Sequence, residues 1–113
     1  MCNEDGYEVE ESWYGLRHDY ILYLSDDTLQ YLDSLEDWAT LGAAGASAMV
    51  AGLIAKGVIT AGAFTTPVTL IIGAIIAAYW ATINIQNDGC GVEVISRVNP
   101  VSPALATPTV HSQ

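Results

Sequence analysis

Polar and apolar positions along this chain are sorted into blocks. Between Trp38 and Asn87 the only charged side chain is Lys56, and nearly all carboxylates lie before that stretch. A segment of about fifty residues with one charge has to leave water, because each buried methylene contributes about 0.8 kcal/mol. Upstream of it, Leu16 to Leu24 is rich in aromatic and aliphatic residues and predicts a strand within 15–24. Leu16, His18, Tyr20, Leu22 and Leu24 would share one face, with Arg17, Asp19, Ile21 and Tyr23 on the other.

Ser25 is an N-cap candidate, and Asp26 and Asp27 put negative charge where a helix dipole favours it. Leu29, Leu32, Leu35, Trp38 and Leu41 recur at helical spacing. After Thr40 the polar face vanishes, and Lys56-Gly57 is a stop signal, so one helix over 26–56 is expected. Thr65-Thr66-Pro67 opens a second helix, 67–86, whose last nineteen or so residues carry no charge. At 1.5 Å per residue these extend about 28 Å, close to a bilayer's hydrocarbon thickness. The turn Asn87-Asp88-Gly89-Cys90-Gly91 leads into a second strand, 91–98.

The expectation is therefore a mainly α, single-domain fold. An antiparallel apolar helical hairpin is joined at its open end by a minor two-stranded β element. Residues 1–14 read as an acidic arm, and 99–113, with Pro100, Pro103 and Pro108, as an extended tail.

Composition narrows the function. At 113 residues the chain fits one domain. Thirteen acidic against three basic residues give a net charge of −10, which repels phosphates and excludes nucleic-acid binding. The same charge disfavours anionic headgroups at low salt. It suits concentrated salt, where the Debye length falls to about 3 Å at 1 M, and points to a halophilic source. Residues 1–11 lack the basic and apolar regions of a secretory signal. A membrane-associated or extracellular location, reached by a non-standard route or within a particle, is expected.

No motif carries catalysis. His18 and Asp19 are neighbours on a strand and so face opposite ways, and His111 lies in the tail. No nucleophile elbow, metal-ligand spacing or phosphate cradle is present, so no catalytic residue, cofactor or metal is assigned. Cys2 and Cys90 could close one disulfide; alternatively Cys90 is a small turn residue and Cys2 a free thiol.

Two patterns concern association. Ala44, Ala48 and Gly52, and likewise Gly73, Ala77 and Ala81, recur every four residues. Such small-residue stripes let helix backbones approach closely, in lipid or in protein. Trp38, Tyr79 and Trp80 fall at one level of an antiparallel hairpin, as an interfacial aromatic belt would, and Lys56 falls at the other end, where it could snorkel. The alternative for the aromatics is ordinary packing beneath the sheet.

Trp13-Tyr14-Gly15-Leu16 before a strand, the Gly/Ala-rich hairpin, Gly89-Cys90-Gly91-Val92 and the closing Pro108-Thr109-Val110-His111-Ser112-Gln113 span most of the chain. In that order they resemble a loose group of small bacteriocin- and halocin-like proteins of Gram-positive bacteria and haloarchaea. The resemblance implies a secreted, membrane-active protein. Two readings stand: a membrane-active or membrane-embedded self-associating protein, whose partners are its own copies and a lipid bilayer; or a structural subunit of a filament or shell, as in pilins or the helical-hairpin coats of spindle-shaped viruses.

Overall fold

The computed structural model describes residues 3–11, 18–35, 44–99 and 107–113. Four strands form one antiparallel sheet in the order β1-β2-β3-β4, with β1 Gly6–Glu11, β2 His18–Leu24, β3 Val92–Val98 and β4 Thr109–Ser112. The helices among the described residues are α1 Asp26–Leu35, α2 Ala44–Ala55, α3 Thr66–Ala78 and α4 Trp80–Gln86.

The central pair follows from alternation. Leu22 opposes Val94 and Leu24 opposes Val92, and all four are fully buried. Tyr20 and Val98 extend the same face toward the helices. Asp19 opposite Arg97, Ile21 opposite Ile95 and Tyr23 opposite Glu93 form the other face.

The mainly α expectation is wrong: the fold is a mixed α/β layer arrangement with a four-stranded sheet. The acidic arm supplies β1, which runs antiparallel to β2 from Gly6 opposite Tyr23 to Glu11 opposite His18. Tyr7 and Val9 alternate with Glu8 and Glu10, a pattern that satisfies an edge strand with one face toward the helices. Likewise the tail supplies β4, which pairs Val110 with Val94 and Thr109 with Ile95. The fixed φ of Pro108, immediately before Thr109, suits the start of such a short edge strand.

The long first helix is also revised. On a continuous helix Leu32 and Gly52 would stand about 30 Å apart. Instead, a methyl group placed on Gly52 would lie 2.5 Å from Leu32 Cδ2, so the chain folds back and α1 packs on α2. The intervening residues 36–43 lie outside those described. The second helix begins as expected, with Pro67 in its first turn, but α3 and α4 meet at a 68° bend. Tyr79 holds the bend with φ −105° and ψ 23°, its N–H still donating to Ile75 O. A straight continuation would carry residues 80–86 past the sheet. The bend returns Trp80 and Ile83 to the core and lays α4 beside β3 and β4.

The core lies between the helices and the inner sheet face. It joins Leu22, Leu24 and Val94 to Leu29 and Leu32 of α1, Met49 and Leu53 of α2, and Ile72, Ile75 and Ile76 of α3. No single helix among the described residues is long and apolar enough to cross a membrane; the bent α3–α4 pair has the length and composition for it when taken together.

Candidate association surface and terminal clasp

The predicted small-residue stripes serve contacts within one chain. A methyl on Gly73 would lie 2.6 Å from the Ala46 carbonyl oxygen and 2.7 Å from Val50 Cγ2, so Gly73 is where α3 touches the backbone of α2. Gly52 plays the corresponding part between α2 and α1. Ala77 is buried, Ala48 is half-buried and Ala81 is exposed. Ala44 starts α2, but its side chain is not among those described. Of the six stripe positions, Gly52 and Gly73 are places of close approach, and the partner helix there is the chain's own.

The aromatic set separates. Trp38 lies outside the described residues. Trp80 is buried, and its indole N–H donates to Asp33 Oδ1 at 3.0 Å, which ties α4 to α1. The Tyr79 hydroxyl is 3.2 Å from Thr107 Oγ1. Lys56 extends its ammonium over the Tyr31 ring, 5.4 Å from the centroid, a cation–π contact. These are packing and tethering roles within the globule.

Outward-facing positions of α2, α3 and α4 make a surface of different character. Ala51, Ile54, Leu70, Ala78, Ala81 and Ile85 are exposed, with Ile85 80 % exposed. On each helix they fall one or two turns apart because the opposite sides of the same helices cover the sheet. Lys56, at the end of α2, is the only charge on 44–86. The described carboxylates lie elsewhere, on residues 4–5, on β1 to β3, on α1 and in the 87–91 turn. This charge-free surface could be anticipated from the charge gap in the sequence; which side of each helix forms it could not.

The outer sheet face is acidic. Burial first, then the carboxylates of Glu8, Glu93 and Glu4, with a hydrogen bond to Glu8, push the Tyr23 phenol above its ordinary range. Tyr20, on the inner face, is also pushed up, by burial. Among the described residues no group of His, Cys, Asp and Glu could hold a metal ion.

At one end of the sheet both termini are knotted to the start of α1. Ser25 caps α1 as predicted, its Oγ accepting from Thr28 N–H at 3.2 Å. Asp5 braces that cap by accepting from Ser25 N–H and Ser25 Oγ, each at 2.9 Å, and from Thr28 Oγ1 at 2.7 Å. Asn3 donates its backbone N–H to Cys90 O at 2.6 Å and accepts from Asp26 N–H at 2.9 Å. Gln113 Nε2 reaches the carbonyls of Glu4, Leu24 and Val92 at 2.9–3.1 Å, and its Oε1 accepts from Glu4 N–H at 2.8 Å. Gly91 is required here: φ is +85°, and a methyl group would run into Leu24 O and come within 2.9 Å of Gln113 Nε2.

Cys90 is disulfide-bonded; Cys2, the chain's one other cysteine, lies outside the described residues. No signal in the sequence marked Asp5 or Gln113, because their partners are 20 and more positions away. Comparison with protein-family models, curated proteins and solved structures finds no match for this chain.

Proposed function

We propose that this protein is a non-enzymatic, self-associating structural subunit whose charge-free helical surface is the contact between copies. The observation that carries the reading is the segregation of charge. A chain with net charge −10 repels its copies unless they meet where no carboxylates stand. The outward side of α2 to α4 is such a place. The acidic outer sheet face is turned away from these helices, and exposed charges more than one Debye length away, about 8 Å at physiological salt, are largely screened. The molecule's two longer extents, 37 and 31 Å, leave room for the roughly 800 Å² per partner that a stable interface covers. Ile85, Leu70 and Ile54 are the exposed large apolar side chains of these helices and the candidate anchors.

Size-exclusion chromatography with light scattering, run from low to high salt, tests this. The expected result is a concentration-dependent assembly that strengthens with salt and is abolished by Ile85→Glu and Leu70→Glu, both exposed positions where the fold tolerates a charge. A protein that stays monomeric at high salt and high concentration, or variants that assemble unchanged, would overturn it.

A second reading, binding to a bilayer through the same surface, is favoured by the span-like length and composition of the α3–α4 pair. Flotation with zwitterionic vesicles distinguishes the two. Vesicle binding that disappears with Ile85→Glu supports the lipid reading, and assembly without vesicles supports the subunit reading.

A further inference from the structure

We propose that the disulfide at Cys90 is a reducible latch on β1, and that its release frees the edge of β2 to take β1 from a second copy. This inference goes beyond the helical-surface reading and uses a different part of the molecule.

β1 is thinly attached by apolar contact. Five of its six residues are exposed. Tyr7 and Val9, which face the helices, remain 37 % and 40 % exposed, and Tyr7 meets Phe64 edge to face, centroids 5.1 Å apart. Such a strand is held by its ladder and by whatever anchors its ends. The anchor at its start is the clasp: Asn3 on Cys90 and Asp26, Glu4 on Gln113, and Asp5 on Ser25 and Thr28. Cys90 sits in the middle of that clasp, and Cys2 immediately precedes Asn3 in the sequence.

β2 beneath is the opposite kind of strand. Tyr20, Ile21, Leu22 and Leu24 are all buried, and among the described residues β1 alone pairs its outer edge. Loss of β1 would leave a row of unpaired backbone groups on an apolar strand, the arrangement most prone to pair with another chain. The occupant best matched to that edge is residues 6–11 of a second copy, because the register from Gly6–Tyr23 to Glu11–His18 is already complementary. Glu8, Glu10 and Glu11 disfavour less specific strands.

The release step is thiol–disulfide exchange. A dithiol such as dithiothreitol passes two electrons and two protons to the disulfide; the protein is left with two thiols and dithiothreitol with a cyclic disulfide.

The test uses the full chain carrying Ile85→Glu, so that the helical contact contributes nothing to the readout and its failure is separable. Amide hydrogen exchange is measured with and without dithiothreitol, comparing 6–11 with 68–76, alongside light scattering across concentration. Cys90→Ser serves as a reductant-free second variant. The latch predicts that β1 loses protection at least tenfold more than α3 does. It also predicts concentration-dependent dimers that return to monomers on reoxidation at low concentration. Protection of β1 that is unchanged, or that falls only in step with α3, would overturn it, as would a reduced chain that stays monomeric at every concentration.

Discussion

Replacing Gly73 by alanine adds one methyl group where α3 meets the backbone of α2. The methyl would sit 2.6 Å from the Ala46 carbonyl oxygen, and the obstacle is backbone, which no rotamer change can move aside. To restore an ordinary contact of 3.4 Å, α2 and α3 must part by about 0.8 Å, the difference of the two distances. Overpacking of this kind costs about 1–3 kcal/mol. Alanine returns about 1 kcal/mol through helix propensity, leaving a net loss of up to about 2 kcal/mol. For 113 residues that lowers Tm by about 4 °C per kcal/mol. Gly52→Ala is the matched control. Its methyl would meet Leu32 Cδ2 at 2.5 Å, the far end of a side chain that can rotate. With the same propensity gain, it should stay within about 1 kcal/mol of the parent. Urea unfolding followed by far-UV circular dichroism, with the disulfide intact, measures both. A Gly73→Ala chain more stable than the parent, or a Gly52→Ala chain that loses more than Gly73→Ala, would refute this reasoning.

Three further outcomes are expected. Ser96 is 1 % exposed and its hydroxyl has no hydrogen-bond partner among the described residues, so Ser96→Ala should raise stability by about 1 kcal/mol in the same urea assay; a loss of stability would mean that the hydroxyl is satisfied. Asp5→Ala leaves the polar groups of Ser25 and Thr28, 5 % and 0 % exposed, short of an acceptor, and should cost about 2–3 kcal/mol, with α1 amides exchanging faster; a neutral effect would refute the clasp as a source of stability. Tyr20 and Tyr23 have folded-state pKa values raised above 10.0, so the protonated phenols favour the folded state. That contribution is complete below pH 10 or so and disappears as pH rises through the raised values. Tyrosinate absorbance should show a late component that shrinks in Tyr23→Phe, and uniform titration of all six tyrosines would contradict it.

Much of the local structure was legible in the residues themselves. Ser25 followed by Asp26 and Asp27 starts a helix, Pro67 opens another, and the alternation of Tyr20, Leu22 and Leu24 sets the buried face of β2. These are short-range effects of capping, fixed φ and side-chain periodicity, and they act before any tertiary contact forms. The two edge strands were not legible, because Tyr-Glu-Val-Glu-Glu and Thr-Val-His-Ser are too short and too polar to hold a strand alone. Each becomes one only when β2 or β3 offers an edge with the right register. The packing of α2 back on α1 and the bend at Tyr79 are of the same kind, since helical spacing gives no sign of either and the shape of the core decides both.

The candidate surface divides likewise. The sequence by itself determined that residues 38–87 would be almost free of charge, and that Gly52 and Gly73 would mark close approaches. The tertiary structure decided that those glycines are consumed within one chain, and that Ile54, Leu70 and Ile85 face outward. It also decided that two termini 109 positions apart close on the cap of α1. Composition determines how much apolar surface must be covered. Which side of each helix does the covering depends on contacts between residues far apart in the chain, and no local pattern encodes them.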